Sequence, residues 1–579
     1  MKRYMLLFFL FLSTSIGVRN FTPVSSTTAA AVAVLTQHND NQRTGANLNE
    51  TILNINNVRP GTFGKLFTRE VDGHIYAQPL YVPGVSIPNK GVHNVVYVAT
   101  QHNSVYAFDA DNPVASAPLW HVNLGQSAPV PADFGNRYGP FEDIAVEVGI
   151  TSTPVIDLGT NTLYVVAFIR DTNPATTCSP ASPPCVYHHS LHALDITSGA
   201  EKFSGPVQIA GSVPGVGVDS VNGVVTFNSH QQIQRSALLL SNGVVYVAFA
   251  GYSDTDPYHG WIFGYNAATL ARVSIFNATP NAVATATDLF PGEGGIWQSG
   301  QGPSADASGY VYAITGNGSF SANTGGVDYG DSFLKLDPQH LQSGRLSVAD
   351  WFTPYNQQLL SQTDLDVGST GVLLIPGTNY LVGGGKEGIL YQIDKTNMGH
   401  YNGPGGPDQV VQRFPILPLT KLFNSPILWD RPAGRLVYIW GISGPLEALG
   451  FTGGLLQQTP VATGSTSLSQ GFPGGAISLS ANGSDTSTGI VWASHPAPSS
   501  QPSTNKAGVL RAYNAANIGI ELWNSGINPN DSVGIHTKYN APTIANGKVY
   551  LGTSSGQLVV YGLILNKNNK IFLPLINTN

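Results

Sequence analysis

Gln78-Pro79-Leu80, Val96-Tyr97-Val98, Ala107-Phe108-Asp109 and Leu119-Trp120 are four short apolar stretches set apart by turns, and their order decides the fold because it returns. The anchor at Tyr97 recurs at Tyr164, Tyr246, Tyr312, Leu381, Tyr438, Trp492 and Tyr550, at intervals of 54 to 82 residues. A small–apolar–Asp/Asn/Gly signature follows each anchor, as in Ala193-Leu194-Asp195, Gly264-Tyr265-Asn266, Lys335-Leu336-Asp337, Gln392-Ile393-Asp394, Ala448-Leu449-Gly450, Ala512-Tyr513-Asn514 and Val560-Tyr561-Gly562. A Pro-apolar lead-in comes before several anchors (Thr153-Pro154-Val155, Ser425-Pro426-Ile427, Ala541-Pro542-Thr543).

A unit of four short strands cannot bury both its faces alone, so repeated units stack. Eight such units without a convincing helix predict an all-β fold, an eight-bladed β-propeller with four-stranded antiparallel blades. The last unit stops at its third strand. Phe63–Val71 is expected to pair there and close the ring, which removes exposed sheet edges. Two sandwich domains would not repeat one signature order eight times.

Composition agrees with this. Of 579 residues, 65 are Gly and 39 Pro, an excess of turn-formers that suits many short elements. Charged residues make up 11%, but 42% are hydrophobic, so the chain folds rather than stays disordered. The net charge of −7, with no basic block beyond Lys2-Arg3, argues against a nucleic-acid partner.

Lys2-Arg3, the apolar run Tyr4–Leu12 and the small residues Thr28-Ala29-Ala30-Ala31 form the three regions of a secretory signal. The run is too short to anchor the chain in a membrane. The expected layout is therefore a signal peptide over 1–31, one propeller domain over 32–565 and a short tail over 566–579. The product is secreted or periplasmic, with no transmembrane segment after cleavage. Cys178 and Cys185, the only cysteines, are expected to pair in that oxidising setting. A metal site with His188, His189 and His192 is the other reading of that cluster.

Loop lengths point to the working face. The anchor-to-signature distance is 12 or 13 residues in units 1, 5, 6 and 8, and 31, 20, 25 and 22 in units 2, 3, 4 and 7. The excess falls between the second and third strands, in loops that leave a propeller on the same face as the lead-ins to the first strands. Binding and catalytic residues concentrate where a rigid scaffold presents such loops.

Units 3 to 5 carry the residues of interest on that face. They are Asp254 and Asp256 in Tyr252–Trp261, Gly294-Gly295-Ile296-Trp297, Thr315-Gly316-Asn317, Trp351-Phe352-Thr353-Pro354, Asp364-Leu365-Asp366 and Gly385-Lys386-Glu387-Gly388. This succession resembles the quinoprotein alcohol dehydrogenases, a family of secreted eight-bladed propellers that use pyrroloquinoline quinone and Ca²⁺. The likeness implies that Trp297 forms the floor beneath the quinone and that Lys386 contacts the quinone oxygens. It also implies that Asn317 is a Ca²⁺ ligand and Asp364 the catalytic base, with Asp366 its partner. Asp254 and Asp256 stand where the family has a metal-binding Glu, and the family's adjacent-cysteine disulfide has no counterpart. The substrate implied is a small-molecule alcohol or aldose sugar.

Each residue also has a plain reading: Trp297 as packing, Asn317 as a turn residue, the two Asp of 364–366 as acceptors for backbone donors, Lys386 as half of a surface pair. The rival function is a non-catalytic extracellular module binding a glycan or protein. The oxidoreductase reading requires Trp297, Asn317, Asp364 and Lys386 to meet at one pocket of roughly 300 Å³ or more.

Overall fold

The computed structural model describes residues 32–130, 135–136, 139–140, 143–172, 185–252, 254, 256–284, 291–469, 471–498 and 503–564. The signal segment, the tail and Cys178 lie outside them. Cys185 is disulfide-bonded, as expected.

Among the described residues the regular structure is nearly all strand, with a single α-helix at Gln357–Gln362. Antiparallel sheets, mostly of four strands, follow one another in sequence, and in most of them the strands pair in chain order; the third and fourth join through Arg272–Asn277 and Arg345–Phe352 into one nine-stranded sheet. The first comprises Leu80–Ile87, Gly91–Ala99, Ser104–Asp109 and Trp120–Asn123. The first strands of later sheets begin at Val155, Leu239, Ser304, Leu373, Ile427, Ala476 and Thr543. The last sheet takes its outer strand from near the N-terminus, since Phe63–Glu70 pairs antiparallel with Gln557–Leu563.

Local chemistry sets these elements. Second strands such as Thr162–Arg170 are buried along almost their whole length because both faces of a sheet are covered, and β-branched and aromatic residues fill them. Outer strands such as Ala462–Leu468 alternate in exposure. Asn242-Gly243 and Asn546-Gly547, all at positive φ, make the two-residue turns that join first to second strands.

Several of the recurrent anchors are ties between sheets. Tyr97 Oη donates to the Ile196 carbonyl at 2.9 Å, Tyr164 to Ala267 at 2.7 Å and Tyr438 to Ala515 at 2.6 Å. Each acceptor is the residue just after the next unit's signature. Tyr550 of the last sheet reaches Ala110 of the first in the same way, at 3.5 Å.

One feature was invisible in the sequence. Val34–Asn47 runs across the first strands of successive sheets and bonds to each in turn. Val34 exchanges two backbone bonds with Tyr81, Leu35 accepts from Ile156, and the Asn41 side chain donates to Leu240 O. The carbonyls of Asn41, Gln42, Thr44 and Gly45 then accept from Ala305, Leu374, Leu428 and Leu479. The Asn47 side chain completes the series on Ile544 O at 2.8 Å. Arg43, fully buried, makes five hydrogen bonds, to Thr36 Oγ1 and the carbonyls of Gln37, Leu238 and Pro303. This segment thus ties the first strands of successive sheets to one another.

Candidate functional site

The structure holds a cavity of about 320 Å³. Its side chains come from the two loop types expected. Asp254, Asn317 and Lys386 lie between second and third strands, while Trp297, Asp364 and Asp366 lie in lead-ins to first strands. Six of the seven expected residues therefore meet there. Asp256 is not among the residues that line the cavity.

Close backbone approach explains the motif glycines. Gly316 N donates to Gly295 O at 2.8 Å and Gly294 N to Asn317 O at 2.6 Å, which places the Gly-Gly-x-Trp and Thr-Gly-Asn stretches side by side. A Cβ on Gly316 would sit 3.0 Å from Asp366 Oδ2, and one on Gly385 would sit 2.3 Å from Asp366 O. Asp254 and Asp364 have φ of +55° and +53°, a region that Asp tolerates better than most residues and that clusters at functional sites.

The polar groups form one network. Lys386 Nζ lies 2.5 Å from Asp364 Oδ1 and 2.6 Å from Asp366 Oδ1, and 5.6 Å from the centre of the Trp297 ring. Trp297 Nε1 donates to Asp366 Oδ2 at 2.9 Å, and Asn317 Nδ2 to Asp364 Oδ1 at 3.1 Å. Burial works against the Lys386 charge, yet Asp366 and Asp364 outweigh it and hold the ammonium pKa above the usual lysine range. Burial raises the pKa of Asp254, whose Oδ1 accepts from Tyr258 Oη at 3.1 Å; Lys386 opposes the shift and Asp364 and Asp366 add to it. Asn317 Oδ1 is buried without a hydrogen-bond partner.

No protein-family model matches the chain, and no curated protein matches its sequence. Solved structures do match. The quinohemoprotein alcohol dehydrogenase of Comamonas testosteroni aligns over 94% of this chain and 82% of its own, at 16% identity and a TM-score of 0.56. The quinohemoprotein alcohol dehydrogenase ADHIIG of Pseudomonas putida HK5 aligns over 92% and 80%, at 14% identity and 0.51. A europium-containing methanol dehydrogenase aligns over 92% and 98%, at 14% identity and 0.50. The chain has the β-propeller fold of the quinoprotein alcohol dehydrogenases.

The propeller brings further residues to the cavity that sequence motifs did not indicate: Arg235, Lys421, Phe423, Phe472, Lys538 and Tyr539. Asp143 also lines it, 2.9 Å from Lys538 Nζ. Four of these share a register: Arg235, Phe423, Phe472 and Tyr539 each stand four residues before a first strand. Where the lead-in carries Pro, as at Pro426 and Pro542, that position is three residues ahead of it. Counting back from the Pro-apolar signature was thus the available signal. Phe423, Phe472, Tyr539 and Trp297 pack edge to face or tilted, with centroids 4.9–6.5 Å apart, and give the cavity an aromatic wall. Among the described residues no three His, Cys, Asp or Glu form a metal-holding group.

Proposed function

We propose that this is an exported, closed, eight-bladed propeller over 32–565 that oxidises an alcohol or aldose sugar using pyrroloquinoline quinone and Ca²⁺. Blade count and closure draw support from Val34–Asn47, which meets the first strand of each sheet in turn, and from the Tyr550–Ala110 tie between last and first sheets. The observation that carries the functional reading is the convergence of Trp297, Asn317, Asp364, Asp366 and Lys386 on one cavity large enough for a tricyclic ligand.

The donor set fits a hard cation in kind. The free Asn317 Oδ1 and the carboxylate of Asp254 offer oxygen ligands, and further oxygens would come from the quinone. The chemistry supplied by quinone and metal when bound is hydride acceptance at a carbonyl polarised by a Lewis acid. The chain does the rest. Asp364 Oδ1 is engaged by Lys386 and Asn317, which leaves Oδ2 to take the substrate hydroxyl proton. Asp366 orients Trp297 and Lys386 through its two oxygens. Lys386 offers positive charge at the rim of the aromatic wall.

The second reading, non-catalytic binding of a glycan or protein, has one observation in its favour: Lys386 already pairs with both acids. A titration separates the two. Purified mature protein receives the quinone with millimolar Ca²⁺, and quenching of tryptophan fluorescence and dye reduction are followed across alcohols and aldoses. Uptake with turnover is expected. Absence of quinone uptake would overturn the oxidoreductase reading.

A further inference from the structure

The cavity has two electrically different sides. Asp254, Asp364 and Asp366 with Lys386 form one. The other carries Arg235, Lys538 and Lys421, of which only Lys538 has an acidic partner, Asp143. Among the described residues no carboxylate lies within ion-pair distance of Arg235 or Lys421. Arg235 is only 7% exposed and makes no hydrogen bond to the described residues; its guanidinium lies 5.2 and 5.8 Å from the ring centres of Tyr539 and Tyr76. A buried guanidinium without acceptors is costly, and its planar fork of donors matches a carboxylate. Lys538, 3% exposed, is close enough to Arg235 for the two charges to oppose each other. An anion placed between them relieves both conditions.

We infer that Arg235 and Lys538, with Lys421 at the rim, form a carboxylate-binding subsite in the cavity, built for a small ligand with at least one carboxylate. This goes beyond the oxidoreductase reading and stands whether or not a quinone binds. The carboxylate has two conceivable sources, the quinone's own acid groups or an acidic substrate such as a sugar acid.

Calorimetric titration of the mature protein without Ca²⁺ uses citrate, D-galacturonate and D-galactose as probes, followed by the quinone. Citrate binding is expected in the parent, weakened at least about tenfold in Arg235→Gln and progressively by salt. Retained galacturonate binding after quinone saturation assigns the subsite to substrate; competition assigns it to the quinone's carboxylates. Lys421→Gln, at a less buried position, gives a second variant should Arg235→Gln not fold, and is expected to weaken citrate severalfold. Citrate that fails to bind the parent, or binds it and both variants equally, would overturn the subsite. Galactose is expected to be indifferent to both substitutions; an equal loss for galactose and citrate would also overturn it.

Discussion

Two buried arginines, one in the N-terminal segment and one in the cavity, behave in opposite ways. Arg43, in Val34–Asn47, has five hydrogen bonds and ties that segment to the third and fourth sheets. Arg235, in the cavity, is nearly as buried and has aromatic neighbours in place of acceptors. Arg43 is satisfied and holds the scaffold; the cavity keeps unmet polar groups, Asn317 Oδ1 among them. Stability and binding thus draw on different buried cations.

If that division holds, substitutions at the two sites separate cleanly. The largest expected effect is on rate: Asp364→Asn lowers dye reduction by the quinone-loaded protein about 10²–10⁴-fold, the range for loss of a general base. The Asp364 side chain is 59% exposed, so the urea midpoint should hardly move, and a large shift would break the comparison. Next comes Arg43→Met, which strands several buried carbonyls and costs about 3–5 kcal/mol in urea unfolding. Retained stability in this variant would show that the Arg43 bonds are not what holds the scaffold.

Acid should act more gradually. Burial lowers the pKa of His38, His189 and His536 to about 3 and that of His495 to about 4, from 6.5. Between these values the unfolded chain binds protons that the folded chain refuses, so stability is full above pH 6.5 and falls as the pH drops. The slope is about 1.4 kcal/mol per pH unit for each histidine. Glu447, raised by burial to about 7 from 4.5, works the other way, its contribution fading as pH rises through that interval. The net expectation is a falling urea midpoint from pH 6.5 to 4.5, and a flat profile would contradict it. The smallest effect is Arg235→Met, within about 1 kcal/mol of the parent or more stable, because it removes an unpaired buried charge.

The fold was legible because its repeat is written in side chains: the Tyr anchors and Asp/Asn signatures sit where sheets dock. Their role as ties across to the next sheet's backbone was not legible, since a carbonyl acceptor leaves no mark in the sequence. Val34–Asn47 escaped for the same reason. Its bonds are mostly main-chain, and a stretch rich in Thr, Gln and Asn looks like a linker. In the site, motifs found the residues whose glycine neighbours permit close approach, such as Asn317 and Lys386. Arg235 and Lys538 belong to no motif and emerge only from their place in the lead-ins. Asp256 shared a loop with Asp254, but the backbone there brings only Asp254 to the cavity.

The bond from Asn47 to Ile544 spans 497 positions of chain. That amide is satisfied only when a strand 497 positions later is in place. A chain cut short before Ile544 keeps it unmet and leaves Phe63–Glu70 without the strand it pairs with, a plain signal for quality control to discard it.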